Sequence, residues 1–171
     1  ERVILYAGEG AAATPTFDPQ IILNGTTGAL LQTDSGVSTA YIETVLPTTG
    51  TYGVVIKEFN NNTTGDYRLH FVKLPFTANP TDPFDGDGKV LASNSTTTAA
   101  IATAGDIDLY SFTAAVGDRI VLSMGEGSAA VTGFAPYLAL YSPTGAQLET
   151  DVTATSAFVE VTATTGGTYN V

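Results

Sequence analysis

Carboxylates are the side chains of this sequence that could do chemistry, and three of them lie close together. Asp82, Asp85 and Asp87 occur in the run Asp-Pro-Phe-Asp-Gly-Asp-Gly. Calcium takes several oxygen ligands from loops that glycine lets turn sharply, so this run is a candidate calcium site. The run differs from an EF-hand loop because no bidentate glutamate closes it, and a solvated turn is the alternative.

Three other aspartates are expected to be structural. Asp106 and Asp108 flank Ile107 at a predicted strand start, and Asp118 directly precedes another strand. Short acidic side chains in such places accept hydrogen bonds from the amides of the adjoining turn. We therefore predict that these carboxylates hold turns together.

The remaining candidates for catalysis do not form a constellation. Glu9 and Glu126 each lie in a Gly-Glu-Gly segment, without a second acid nearby in sequence to complete an acid/base pair, so both are expected to stabilise turns. His70 is the only histidine and is expected to be exposed on a strand. No Gly-x-Ser-x-Gly elbow and no cysteine is present. The sequence thus predicts a protein that is not an enzyme.

Composition narrows the class of partner. The formal net charge is −11, from 6 basic and 17 acidic residues, which disfavours nucleic acid and anionic membranes and favours cations. No apolar run reaches the roughly 18 residues of a membrane helix, so membrane insertion is not expected. Glu1 reads as the beginning of a strand, so we expect a chain that was cut from something longer.

An internal repeat is the strongest pattern in the sequence. The run Glu1-Arg-Val-Ile-Leu-Tyr-Ala-Gly-Glu-Gly10 returns as Asp118-Arg-Ile-Val-Leu-Ser-Met-Gly-Glu-Gly127, at an offset of 118 − 1 = 117. Without a gap, residues 1–54 and 118–171 are identical at more than 20 of 54 positions, where composition alone gives roughly five. The chain is therefore predicted to hold about one and a half copies of a unit of about 117 residues.

The fold class follows from alternation with a period of two residues. Apolar residues alternate with polar ones in short runs, and turn residues separate these runs every eight to twelve positions. Tyr52 and Tyr169 each follow Gly-Thr, which resembles the tyrosine corner of β-sandwiches. We predict an all-β fold of tandem, jelly-roll-like antiparallel β-sandwich units.

The boundary between copies is expected in a polar, proline-bearing stretch near residue 77. Residues 1–76 would be the C-terminal part of a first sandwich, and residues 77–171 the N-terminal part of a second. Each copy then lacks strands that the other contains. Such halves would expose unpaired strand edges unless a neighbouring molecule completes them.

Residues 101–123 resemble the opening strands of bacterial pre-peptidase C-terminal domains, through Gly-Asp-x-Asp-x-Tyr-x-Phe-x-Ala-x-x-Gly-Asp. Leu140-Tyr-Ser-Pro-Thr-Gly145, Gly50-Thr-Tyr52 and Thr64-Gly-Asp-Tyr67 are similar to the later motifs of that family. The resemblance implies a non-catalytic sandwich, appended to secreted hydrolases or repeated along surface proteins. It therefore implies an extracellular or cell-surface location.

Two functions remain open at this stage. The first is a structural repeat of a surface stalk, adhesin or filament, which associates with neighbouring repeats or identical chains, with strand complementation as the route of assembly. The second is a module that attaches a secreted hydrolase to a glycan or matrix protein. The second would need exposed aromatic platforms, whereas most of the 16 aromatics, 8 Tyr and 8 Phe, are expected to point into the core.

Overall fold

The computed structural model describes residues 1–10, 17–76, 88–127 and 133–171. This part of the chain forms strands and turns, and it contains no helix that could cross a membrane. The strands are β1 Arg2–Glu9, β2 Pro19–Asn24, β3 Leu30–Ser35, β4 Thr39–Val45, β5 Gly53–Glu58, β6 Tyr67–Leu74, β7 Ser111–Ala114, β8 Arg119–Gly125, β9 Tyr137–Tyr141, β10 Gln147–Val152, β11 Ser156–Thr162 and β12 Gly167–Asn170.

The chain forms two compact units. The first unit contains Glu1–Lys73 together with Ile101–Ile107, and the second contains Leu74–Ala100 together with Asp108–Val171. The segment Ile101–Ile107 thus lies with the first unit, although the 117-residue period assigns it to the second copy. The boundary of repeats at residues 76 and 77 stays a prediction.

The first unit is a sandwich of two three-stranded sheets, ordered β4-β1-β6 and β3-β2-β5. Its core lies between them because alternate residues of each strand face inward. Leu5 and Ile42 come from one sheet, and Ile21 and Leu23 from the other; all four are buried. Burial alternates along β2, as the sequence predicts, whereas β1 buries Val3, Ile4 and Leu5 in succession.

The second unit has a two-stranded sheet, β11-β8, that faces a four-stranded sheet, β10-β9-β12-β7. Ile120 and Val159 pack from the first sheet against Leu140 and Tyr169 from the second. Phe112 of β7 stacks on Tyr169, with ring centroids 5.6 Å apart and an angle of 13° between the rings. The all-β, antiparallel sandwich predicted from the sequence is confirmed.

The strand pairing of the first unit returns in the second at an offset of 117 residues. β1 and β4 pair from Arg2↔Val45 to Gly8↔Thr39, and β8 and β11 pair from Arg119↔Thr162 to Gly125↔Ser156. The β2/β3 and β9/β10 ladders also have the same register, including an irregularity at the same step. The number of tandem copies stays a prediction.

The two tyrosine corners form as predicted. The Tyr52 hydroxyl donates to the carbonyl oxygen of Thr48 at 2.5 Å, and the Tyr169 hydroxyl donates to that of Thr165 at 2.7 Å. Each bond reaches back four residues and fixes the loop that leads into β5 in the first unit and into β12 in the second. The same type of hydrogen bond therefore anchors β5 in the first unit and β12 in the second.

Candidate functional site

The candidate calcium ligands Asp82, Asp85 and Asp87 lie outside the described residues. Within the described ranges, no group of three or more His, Asp or Glu side chains could hold a metal ion. The calcium hypothesis for the 82–88 run is therefore still a prediction.

Two of the three structural aspartates hold turns as predicted. The Asp106 carboxylate accepts a hydrogen bond from the Ala102 amide at 2.6 Å, and the Asp118 carboxylate accepts one from the Ala115 amide at 2.8 Å. Both close loops of three or four residues, which is the usual use of a short acidic side chain. The role assigned to Asp108 stays a prediction.

His70 is buried, so the expectation of an exposed strand histidine is wrong. Only 6% of the residue is exposed, and its Nε2 atom lies 3.9 Å from Oδ1 of the equally buried Asp106. Sequence alternation along β6 could not reveal this, because the covering segment, Ile101–Ile107, comes from a distant part of the chain. At 3.9 Å the two atoms form an ion pair only when the imidazole is protonated, and they are too far apart for a hydrogen bond.

Glu9 and Glu126 lie at the ends of two equivalent strand pairs, β1/β4 and β8/β11. The Glu9 amide donates to the carbonyl of Ser38 at 3.0 Å, and the Glu126 amide donates to that of Thr155 at 3.1 Å. These are backbone bonds at positions 117 residues apart. The backbone of each residue thus closes a strand pair, whereas the stabilising role predicted for the two side chains is still a prediction.

Glu58 is a buried acid that reasoning from the sequence missed. Burial raises the pKa of its carboxyl, but backbone amides of residues 60–62 and of Asp18 donate to the carboxylate and bring its pKa below the ordinary 4.5. The Asn62 amide lies 3.0 Å from Oε2. The run of three asparagines at residues 60–62 is the sequence feature that could have indicated this site. Such runs form tight turns, which direct backbone amides toward a preceding acceptor.

The most distinctive surface feature is an apolar cleft in the first unit, between the edges of β5 and β6. Its volume is about 230 Å³, and two side chains on it are unusually exposed for residues that face a core: Phe71 at 61% and Val54 at 42%. Its walls are formed by Val3, Leu5, Leu23, Leu46, Gly50, Tyr52, Val54 and Phe71, with Glu1 and Lys73 also lining it.

The cleft lies where the second unit has a strand. Gly50, Tyr52 and Val54 are counterparts of Gly167, Tyr169 and Val171, at the offset of 117 residues. In the second unit these residues pair with β7 and with Tyr110, which directly precedes it. The described residues of the first unit supply no such strand, so its sheet ends at β5.

Chemically, this cleft can bury apolar side chains and pair with a backbone. It adjoins a more polar hollow of about 710 Å³, and the two share the lining residues Glu1, Leu46, Gly50, Tyr52 and Lys73. Its charged lining residues, Glu1 and Lys73, form an ion pair with each other at 3.1 Å.

Some aromatic side chains of the described residues lie at the surface. In the described part of the chain, six aromatic side chains are classed as exposed: Tyr41, Phe59, Tyr67, Phe71, Tyr137 and Phe158. The other nine aromatics of the described ranges are buried or half-buried. The expectation that most aromatics point into the core therefore stays a prediction.

No protein-family model, curated protein or solved structure matches this chain.

Proposed function

We propose that this chain is a non-catalytic structural repeat of an extracellular protein, a building unit of a surface stalk, adhesin or filament. The observation that carries the proposal is the return of the same strand register at an offset of 117 residues. Tandem units of one fold are suited to extending a chain by stacking, because each unit repeats the same surfaces. The resemblance to sandwiches strung along surface proteins supports the same function.

A glycine retained in both copies supports the tandem arrangement. A side chain on Gly8 would collide with the backbone of the 101–107 segment, since its Cβ would lie 2.0 Å from the Ala104 carbonyl oxygen. Its counterpart Gly125 has nothing within 4 Å of a Cβ. In a longer array, the next copy would provide a segment like 101–107, and Gly125 would then need to be glycine for the same reason.

Self-association is the part of the proposal that can be tested directly. The purified chain is studied by sedimentation velocity over a wide concentration range and imaged by electron microscopy. Assembly through open edges gives particles that grow with concentration, and a head-to-tail contact that does not close gives fibres. Chains that are folded by circular dichroism yet sediment as monomers at every concentration would refute self-assembly.

A second candidate is the binding module, and the six exposed aromatics favour it. Exposed tyrosine and phenylalanine rings provide the flat apolar surfaces on which sugars and peptides pack. Retention on insoluble polysaccharide and on collagen, with and without a chelator, tests this function. Retention that a chelator abolishes would also support the calcium hypothesis for Asp82, Asp85 and Asp87, whereas no retention on any matrix would exclude these targets.

A further inference from the structure

Two carboxylates of β10 accept hydrogen bonds from the backbone of β11, although the two strands belong to different sheets. The Glu160 amide donates to Oε2 of Glu149 at 2.8 Å. The Phe158 amide donates to Oδ2 of Asp151, also at 2.8 Å. Both carboxylates are half-buried, whereas the alternate residues of β10 are exposed. These two side chains therefore lie on the face of β10 that is turned toward β11.

A third bond continues the series in the turn between the two strands. The Ser156 amide donates to Oγ1 of Thr153 at 3.1 Å, and the Thr153 hydroxyl donates to the carbonyl oxygen of the same serine. The acceptors and the donors both advance in steps of two residues, in opposite directions along the chain. The series thus has the register of an antiparallel strand pair, but side chains of β10 take the place of its backbone.

The three donating amides lie on the outer edge of β11. The inner edge pairs with β8 along the whole strand, from Ser156↔Gly125 to Thr162↔Arg119, and β11 has no other neighbour among the described strands. The equivalent strand of the first unit, β4, is likewise the end of its sheet, in the order β4-β1-β6. Neither the described residues that follow the first copy nor those that precede the second therefore add a strand to this edge.

An edge of this kind pairs readily with the same edge of another molecule. The amides and carbonyls of an exposed end strand form a template for a further strand. β11 has the sequence Ser-Ala-Phe-Val-Glu-Val-Thr, which is rich in β-branched and aromatic residues, and Phe158 is 50% exposed. Two copies of β11 would meet antiparallel about a two-fold axis, because each edge then faces an identical one.

We propose that Glu149, Asp151 and Thr153 close the outer edge of β11 against pairing with β11 of a second copy. Each acceptor occupies an amide that would otherwise donate to a backbone carbonyl of the incoming strand. The inference goes beyond the proposed function, because it concerns an edge that stays unpaired rather than a contact that builds an array. Closure matters most in tandem repeats, where identical neighbours are present at high effective concentration and misassemble most easily.

The first unit has the central bond of the same series. Its Tyr41 amide donates to Oδ2 of Asp34 at 2.7 Å, 117 residues before the central pair of the second unit. Gly36 stands at the position of Thr153 and has no side chain that could accept a bond. The central carboxylate is thus the member of the series that both copies have.

Hydrogen exchange followed by NMR tests the two carboxylate bonds separately. E149A removes the acceptor of the Glu160 amide, and D151A removes that of the Phe158 amide. We expect each variant to speed the exchange of its own partner amide at least about tenfold and to leave the other amide nearly unchanged. T150A, on the opposite face of β10, is the control and should change neither amide. Exchange that is the same in the wild type and in both variants would overturn the series.

Self-association tests the closure of the edge. E149A/D151A opens the edge, and E149Q/D151N is the matched control, because its amide oxygens keep two acceptors while the same two charges are lost. We expect E149A/D151A to associate at least about tenfold more strongly than the wild type in sedimentation velocity, and E149Q/D151N to behave as the wild type does. An equal rise in both double variants would assign the effect to the lost charge and overturn the closure, as would no rise in either.

Circular dichroism verifies that both double variants fold. If E149A/D151A unfolds, D151A and D151N provide the same comparison at the central bond. Stronger association of D151A alone supports the closure, and equal association of the two single variants overturns it.

A proline locates the contact. Position 160 has an outward amide, and an end strand tolerates proline where the missing N–H faces outward. Added to E149A/D151A, E160P removes this donor, whereas E160Q keeps the amide and loses only the charge that pairs with Arg119. We expect E160P to return association to the wild-type level and E160Q to leave it raised. Equal association of the two triple variants would overturn the outer edge of β11 as the contact.

Discussion

The two units contain the same five-strand pattern and differ in the strand that is added to it. In the first unit, β6 joins β1, and the sheet on the other side ends at β5. In the second unit, β7 joins β12, while β8 has a single neighbour. Among the described residues, each unit therefore has one strand without a counterpart in the other, and matched residues at an offset of 117 differ in how they are covered.

The largest expected difference lies in the two cores. Leu140 and its counterpart Leu23 are both buried, but Leu23 lines the open cleft. We expect L140A to lower the free energy of unfolding by about 4 kcal/mol and L23A by about 2 kcal/mol, because water can fill a cavity that opens into a cleft. Urea unfolding with site-resolved hydrogen exchange measures both units separately.

The exposed leucines Leu31 and Leu148, which are also counterparts, are the controls for these truncations. We expect L31A and L148A each to lower the free energy of unfolding by less than about 0.5 kcal/mol. Equal losses for L140A and L23A would mean that the cleft closes in solution.

Glycine substitutions test the cover over β1. G8A places a methyl group against the carbonyl of Ala104, whereas G125A meets nothing within 4 Å. We expect G8A to lower the free energy of unfolding by about 2 kcal/mol, because overpacking displaces the 101–107 segment. G125A should lower it by less than about 0.5 kcal/mol. Thermal melts give both values. Similar losses for the two variants would show that the 101–107 segment does not cover β1.

The tyrosine corners should differ by burial. Tyr169 is 1% exposed, whereas Tyr52 lies on the cleft, where water can replace its hydroxyl as a partner of Thr48. We expect Y169F to lower the free energy of unfolding by about 1.5 kcal/mol and Y52F by about 0.5 kcal/mol, as measured by urea unfolding. Y67F, on an exposed side chain, is the control. A larger loss for Y52F would contradict the openness of the cleft.

One ion pair occurs in both units with different exposure. Arg2 and Glu43 are 2.7 Å apart with side chains 19% and 10% exposed, whereas their counterparts Arg119 and Glu160 are 2.5 Å apart but 69% and 38% exposed. Glu43 also accepts a bond from the Tyr41 hydroxyl, and Phe158 at the counterpart position has no hydroxyl to donate.

We therefore expect E43Q to lower the free energy of unfolding by about 1 kcal/mol and E160Q to lower it by less than about 0.5 kcal/mol. Unfolding in low and high salt checks the difference, since salt screens exposed charges more strongly. A larger loss for E160Q would mean that lower exposure and the Tyr41 hydrogen bond give the first-unit pair no advantage.

The smallest effect at neutral pH is that of Glu58, which belongs to the first unit. The pKa of its carboxyl is lowered in the folded state by amide donors, so the unfolded chain binds the proton more readily. Its contribution to stability is present above about pH 4.5 and is lost as the pH falls through the folded pKa. E58Q should therefore lose less stability between pH 6 and pH 3 than the wild type does. An identical acid response would show that these amides do not favour the charged carboxylate.

How much the sequence could predict is clearest at particular residues. The alternation predicted that Leu140 and Leu23 face inward, because each strand has one buried side. The Gly-Thr-Tyr pattern predicted both tyrosine corners, because their bonds span four residues. The burial of His70 and the exposure of Phe71 could not be predicted, because both depend on which distant segment covers β6.

The sequence by itself therefore determined the period of 117 residues, the all-β class with its alternating strands, and the local turns, since these depend on neighbours along the chain. The tertiary structure alone decided which strand completes each sheet, that the 101–107 segment folds with the first unit, and that a cleft remains beside β5. These features depend on contacts between distant residues, for which a single sequence has no local signal.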